Sequence, residues 1–453
     1  MSMLAWFRGW NVHFSARSAA HRLQQQRYLE KWKELPEHLR TPQQVAGIRA
    51  VACGATHSLM EKCNFACTSC YLSESANHTR PLPFEEAKSQ LEALRRYLGP
   101  GGKVQVTSGE VTLLPVDELG RIVAYARKIG LDPMVMTNGQ RLLQIPEYLP
   151  TLVVKYGLEK LGLHIDTTQK GRPGMRLGLR EEALHPIRDR FARLLEEVKK
   201  QTRRRLHAAH TVTVTPHNLD DIPQVVRWVL DHLDTFRLIS FLPVAEVGRT
   251  QDRRSPDLIL ERVWEKVCAG VGHPLNRHAM HFGHPQCNIT APLLVVSFGR
   301  CHHLVEVVRA DHQWDLRTFQ RALWEFSAYA DLDAGLVRNF LKFFWPLLRH
   351  PGVLAEFIAY GCYRLWSLRS WLGSFLLHLA TGRPVQVRPL LIVVHQFMSP
   401  HELDTPLGRE RLAACVFKVP VGNSMVSMCQ MNGTGLRRAL NLQQLNGSAR
   451  AGR

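Results

Sequence analysis

Three cysteines stand close together in EKCNFACTSCYL, at Cys63, Cys67 and Cys70. Three thiols are one short of a closed zinc site, whose cysteines usually come as two short pairs, so a zinc knuckle here needs a distant fourth ligand. A thioredoxin-like reaction needs only one CxxC pair. An iron-sulfur cube on three thiolates leaves one iron open, which is useful if its outside ligand is a substrate or cofactor.

The surrounding sequence must position that loop. It follows a β-prone run, VACGATHSLM, and precedes a helical segment from about Pro83. Further β-rich runs then alternate with helical periods: VQVTSGE (104–110), MVMTNG (134–139), LGLHID (161–166), HTVTVTPHN (210–218) and FRLISFLPV (236–244). Such alternation reads as parallel βα units, an open sheet or a barrel. Chemistry in these folds gathers at the carboxyl ends of the strands, where Glu110, Asn138, Asp166 and Asn218 fall.

Cys-x3-Cys-x2-Cys after the first strand of a βα series resembles the signature of the radical S-adenosylmethionine (radical SAM) superfamily. SGE, at Ser108, Gly109 and Glu110, resembles the family's Gly-Gly-Glu stretch with serine for the first glycine. There, backbone and Glu110 would receive the amino group of SAM. TNG places Asn138 where the family's third strand ends near the ribose, LHID places His164 and Asp166 on the fourth strand facing cofactor or substrate, and FLPVAEVGR resembles the sixth strand beside the adenine. One position departs: the residue before the third cysteine, often aromatic in the family, is Ser69, with Phe65 and Tyr71 nearby.

The resemblance implies a mixed α/β fold, a partial (β/α)6 TIM-like barrel. It implies a 4Fe-4S cluster on Cys63, Cys67 and Cys70, with SAM on the open iron and a 5'-deoxyadenosyl radical that takes hydrogen from an unactivated carbon. It assigns no catalytic residue beyond the cluster, and it implies a reducing partner such as ferredoxin or flavodoxin.

The chain has 453 residues, 45% hydrophobic and 21% charged, enough for a large core and two or three domains. Its formal charge of +19 raises nucleic acid, anionic lipid or an acidic substrate as partners, although basic surface composition alone gives the same count. The start, MSMLAWFRGWNVHFSARSAAHRL, lacks the apolar core and cleavage site of a secretory signal, so the expectation is a cytoplasmic protein with reduced thiols.

Six segments are expected. Residues 1–49, with Trp6, Phe7, Trp10 and Phe14 among arginines, read as an amphipathic arm, and 50–250 as the core barrel. Residues 251–318, rich in histidine and containing Cys287 and Cys301, read as a loop-like insertion. Residues 319–383 are aromatic and helical, including NFLKFFWPLL and LWSLRSWLGSFLLHL, and form a largely helical C-terminal extension. Within them Leu354, Phe357, Ile358, Leu365, Leu368 and Phe375 share one helical face, and Glu356, Tyr360, Arg364 and His378 another. Charges keep each apolar piece below the ~20 residues needed to span a bilayer. This helix packs on the core, lines an apolar pocket, or lies on a membrane. Residues 384–440 carry the β-like VRPLLIVVHQFM with Cys415 and Cys429, and 441–453 read as a flexible tail.

HFGHPQCN (281–288), HQFM (395–398), Cys415, Cys429 and Asn432 resemble radical SAM proteins with a His-Pro-x-Cys segment and a cysteine-bearing C-terminal extension. Those to compare are the tetraether lipid synthases and the molybdenum-cofactor-biosynthesis enzymes. Cys287, Cys415 and Cys429, with Cys301, are candidates for an auxiliary cluster or metal; buried free cysteines are the plainer reading. His281, His284 and Cys287 are an alternative zinc set, which Pro285 bends out of helical register. The preferred expectation is a radical SAM enzyme acting on a lipid or other hydrophobic substrate, in peripheral contact with the inner membrane face. The alternatives are a peptide or small-metabolite maturase and, from another class, a basic metal-stabilised nucleic-acid-binding protein, for which no recognised motif is present.

Overall fold

A computed structural model describes residues 19–451 apart from 177, 257, 299–300, 327–350 and 383–384, with side chains described from residue 25 except at 301, 323–326, 370, 372, 374, 379 and 447–451. Trp6, Phe7, Trp10 and Phe14, the NFLKFFWPLL stretch and the side chain of Cys301 lie outside the described residues.

Helix α1 (Ala19–Glu34) leads to strand β1 (Cys53–Ala55). Helix and strand then alternate through α2 (Phe84–Leu98), β2 (Lys103–Val106), α3 (Val116–Lys128) and β3 (Asp132–Thr137). Two short helices follow, α4 (Gln140–Gln144) and α5 (Tyr148–Val154), then β4 (Lys160–His164), α6 (His185–Thr202), β5 (His207–Val214), α7 (Ile222–Asp231) and β6 (Phe236–Pro243). Hydrophobic spacing explains the alternation. On α2 the buried residues are Ala87, Leu91, Leu94 and Leu98, one stripe at helical period. Strand β3 alternates buried Pro133, Val135 and Thr137 with half-buried neighbours, whereas β5 is buried along nearly its whole length, as a strand covered on both faces must be.

The C-terminal part carries more strands than the β-like VRPLLIVVHQFM run expected from the sequence. It continues with α8 (Leu260–Val271), β7 (Asn288–Phe298), β8 (Cys301–Glu306), α9 (Gln313–Phe326), α10 (Pro351–Ser367), α11 (Arg369–Ala380) and β9 (Val385–His395). It closes with α12 (Pro406–Ala413), β10 (Phe417–Val421), β11 (Ser424–Ser427), α13 (Met428–Gly433) and α14 (Leu436–Ala451). The histidine-rich 251–318 stretch is thus not irregular. Its PLLVVSF run is β-prone, and β7 pairs antiparallel with both β8 and β9.

The sheet runs β11-β10-β1-β2-β3-β4-β5-β6-β9-β7-β8 and curls as a half-barrel of the partial TIM-like kind, with helices in the C-terminal region. From β10 through β9 every neighbouring pair is parallel. Two of those strands, β10 and β9, come from the C-terminal segment and flank the first and sixth core strands, one at each side. The last helix runs to Ala451, and within it Asn441 is buried and donates to Ser73 Oγ at 2.8 Å.

Candidate active site

The cysteine loop hangs from the carboxyl ends of several strands. Beyond β2, Gly109 N donates to Met60 O at 2.9 Å and Glu110 N to Lys62 O at 2.8 Å. A Cβ on Gly109 would come within 2.2 Å of Glu61 O, so only glycine permits this approach. Beyond β4, Lys170 O and Thr168 O accept from Ala66 N (2.8 Å) and Thr68 N (2.9 Å). Beyond β6, Arg249 N bonds the carbonyls of Cys70 and Leu72 at 3.0 and 2.9 Å, and Cys70 N donates to Thr250 Oγ1 at 3.0 Å. Gly248, at φ +58°, lies so close to Tyr71 that an added Cβ would meet its carbonyl carbon at 2.4 Å. Ser69, where an aromatic was expected, donates to Asp252 Oδ2 at 2.6 Å and adds one more tie to the loop after β6.

Inside this frame the three thiols affect one another. Burial lifts Cys63 to about 11, with Glu110 and Cys70 adding to it, and lifts Cys67 well above the ordinary thiol value, with Cys70, Asp166 and Cys63 adding. Arg249 Nε donates to Cys70 Sγ at 3.3 Å. Phe65 N donates to Cys63 Sγ at 3.4 Å. Burial makes Cys63 and Cys67 costly as thiolates unless a positively charged group binds them. Among the described residues no group of three or more His, Cys, Asp or Glu side chains converges tightly enough to hold a single metal ion. By number alone, three thiolates are one short of a closed zinc site and match a cube that leaves one iron open.

The remaining residues named from the sequence gather at the neighbouring strand ends, with most polar atoms already engaged. Ser108 Oγ accepts from Met60 N at 3.1 Å, and its carbonyl accepts from the Tyr71 hydroxyl. Glu110 Oε1 accepts from Thr112 N (3.1 Å), Thr112 Oγ1 (2.5 Å) and Thr137 Oγ1 (2.6 Å), and Oε2 from Asn138 N (2.7 Å). The carboxylate is thus a tie between the ends of β2 and β3. Asn138 accepts from Gln140 N at 2.9 Å and donates to Asn64 Oδ1 in the cysteine loop at 2.8 Å.

Asp166 is fully buried. It accepts from Thr168 N, Thr168 Oγ1 and Thr213 N, and lies 2.6 Å from His164 Nε2. Burial opposes charge on both, but the pairing prevails: His164 is held above its ordinary value and Asp166 below. Of the two, His164 keeps about a third of its side chain exposed, at 32%. Asn218 is buried and donates to Glu181 Oε1 at 2.9 Å, next to the buried Arg188–Glu181 pair, so it braces the strand ends from behind.

Two residues that sequence reasoning missed border the thiols. Arg172 is buried and stacks over the Phe65 ring at 4.9 Å. It donates to Asn138 O at 2.7 Å and Gln169 Oε1 at 2.9 Å, while its Nη1 is buried without a partner among the described residues. Arg249 lay within the VGR stretch, but only its contact with Cys70 singles it out. Nothing local marks either arginine, since both act across chain segments distant in sequence.

Cys287, Cys415 and Cys429 are brought together around an enclosed cavity of about 20 Å³, which His284, His395 and Arg411 also line. Each sulfur accepts one N–H at 3.4 Å, from Arg411 Nε, Phe417 N and Met398 N respectively. Burial raises Cys287 and lifts Cys429 to about 12. The alternative zinc set is not assembled: His284 bonds Glu410 at 3.0 Å, and His281 packs edge-on to His278.

Residues 58–229 match the family model described as the Radical SAM superfamily. The 7,8-dihydro-6-hydroxymethylpterin dimethyltransferase of Methanocaldococcus jannaschii is 27% identical over 201 residues, 44% of this chain and 38% of that protein. The alignment thus spans well under half of that relative. Among solved structures, Streptococcus suis SuiB bound to S-adenosylmethionine aligns with 49% of this chain and 48% of its own at 16% identity and a TM-score of 0.37. The protein anSMEcpe with bound AdoMet aligns with 42% of this chain and 51% of its own at 16% identity and a TM-score of 0.31.

Proposed function

We propose a function whose premise is that residues 58–229 belong to the radical SAM superfamily and that the chain is an enzyme. The family implies a 4Fe-4S cluster and SAM. In our reading Cys63, Cys67 and Cys70 hold the cluster, and Gly109, Glu110, Asn138 and His164 border the SAM site. The observation that carries this is the loop itself: three cysteines within eight residues, on a loop suspended by backbone hydrogen bonds from beyond the ends of β2, β4 and β6. When bound, the reduced cluster and SAM supply a 5'-deoxyadenosyl radical able to take hydrogen from an unactivated carbon. The chain's own part is positioning: Arg249 and Arg172 fix the loop from two sides, and the buried strand ends keep water from the reacting centre.

The proposed substrate is a lipid or other hydrophobic molecule, supported by the basic charge and the aromatic C-terminal helices, with ferredoxin or flavodoxin as electron donor. A second reading, a peptide or small-metabolite enzyme, is favoured by the similarity to the pterin dimethyltransferase. In either, Cys287, Cys415 and Cys429 are proposed ligands of an auxiliary cluster or metal. The present cavity has room for about one water, so loading requires its lining to move.

Anaerobic reconstitution tests the chemistry. Iron near four per chain, or more with an auxiliary site, is expected, together with 5'-deoxyadenosine on adding dithionite and SAM. Continued release after replacing Cys63, Cys67 and Cys70 by alanine would end the central claim. Lipid and metabolite profiling of a deletion strain separates the two substrate readings.

A further inference from the structure

Helix α10 is inside out, and both α10 and α11 leave large apolar side chains exposed. Polar side chains turn toward the protein: Glu356 pairs with Arg321, Arg364 with the fully buried Asp315, and the Tyr363 hydroxyl meets His312 Nε2 at 2.6 Å. At the junction Leu368, Trp371 and Phe375 pack on the β7–β8 hairpin. Ile358, Leu365, Trp366, Leu376 and Leu377 point outward at helical spacing, with Trp366 69% and Leu377 61% exposed. A helix that uses its charges against its own domain and leaves large apolar side chains in water has its polarity reversed for an aqueous surface.

We propose that this face seats the protein on an anionic lipid bilayer, with both helices lying in the interface plane. Among the described residues of the two helices the exposed charge is Arg369, whose guanidinium lies 5.2 Å above the Trp366 ring. An arginine beside a tryptophan at the edge of an apolar face suits phosphate headgroups above acyl chains. The formal charge of +19 adds long-range attraction to the same partner. A second copy is a poorer occupant, because it carries the same formal charge of +19 and is repelled over the range at which an anionic surface attracts. No helix among the described residues is long and apolar enough to cross a membrane, so contact is lateral. This deepens the proposed function by naming where a lipid-chain substrate is met, and it rests on that reading for its purpose alone.

The test is flotation of the full chain with vesicles of phosphatidylcholine, with and without phosphatidylglycerol, for wild type and Trp366→Glu/Leu377→Glu. Wild type is expected to float with the anionic vesicles, and the double variant to lose about tenfold or more of that binding, since two apolar anchors become charges. Vesicle-free release of 5'-deoxyadenosine should be the same in both, showing that the variant is folded. Arg369→Glu should weaken binding to anionic vesicles more than to neutral ones. Equal flotation of wild type and double variant, or no flotation of wild type, overturns the proposal. So does a wild-type dimer in sedimentation that the double variant dissociates. Flotation without SAM cleavage would leave the docking face standing and sink the chemistry.

Discussion

The guanidinium of Arg437 lies 2.8 Å from the carboxylate of Glu61, across 376 positions of sequence, and both side chains are buried. The same guanidinium sits 4.7 Å over the ring of Tyr71, so the last helix holds the cysteine loop just before its first thiol and just after its third. Removing one member of such a pair strands the other as a buried charge, at a cost of about 3–5 kcal/mol. Arg437→Met is expected to lower the melting temperature and, by loosening the loop, the iron retained after reconstitution. Glu61→Gln added to it should recover much of the stability. Unchanged melting and iron content in Arg437→Met would refute the clamp.

His57 shares that environment. Burial, followed by the charge of Arg437, pushes its pKa down to about 4 from the ordinary 6.5. The folded protein holds it neutral, whereas the unfolded chain takes up a proton as pH drops below 6.5. The stability tied to its neutrality is therefore fully present above pH 6.5 and is lost as pH falls toward 4, by about 3 kcal/mol in all. Denaturant titrations from pH 7.5 to about 4 should show that decline, and His57→Gln should flatten part of it. An identical pH slope in the variant would contradict the assignment.

Arg249 donates to the sulfur of Cys70. A positive donor at a ligating sulfur favours the more electron-rich form of a cluster, so Arg249→Gln should lower its reduction potential and slow dithionite-driven SAM cleavage. Arg249→Lys, which keeps the charge, should fall between. A redox titration followed by electron paramagnetic resonance reads this directly; an unshifted potential in Arg249→Gln removes the tuning role.

Glu110 accepts from four protein donors across the ends of β2 and β3. In Glu110→Gln one carboxylate oxygen becomes an NH2 group facing donors, which is expected to cost about 2 kcal/mol and to weaken SAM binding together with stability. Calorimetric titration with SAM beside thermal melting checks both. Lost SAM affinity with an unaltered melt would show that Glu110 acts on the cofactor and not as a tie.

The cysteine motif and the SGE, TNG and LHID strand ends were legible because each is local. Spacing within one loop sets which thiols converge, and alternation within one run sets which residue ends a strand. Gly109 illustrates the limit: the motif places it, but only the 2.2 Å approach to Glu61 explains why it is glycine. The roles of the neighbouring side chains were not legible, since Ser108, Glu110, Asn138 and Asp166 each also bond a segment distant in sequence: Met60, the end of β3, Asn64 and Thr213 respectively.

By itself, then, the sequence determined the βα series, the three-thiol loop and the order of the strand ends, all consequences of short-range spacing and periodicity. Only the tertiary structure decided that C-terminal strands flank the core on both sides, that Arg172, Arg249 and Arg437 converge on the loop, and which face of α10–α11 meets solvent. The physical reason is common to all three. An amphipathic period fixes that a helix or strand has two faces, but which face is covered depends on what the rest of the chain brings against it, and buried charges find their partners wherever the fold places them.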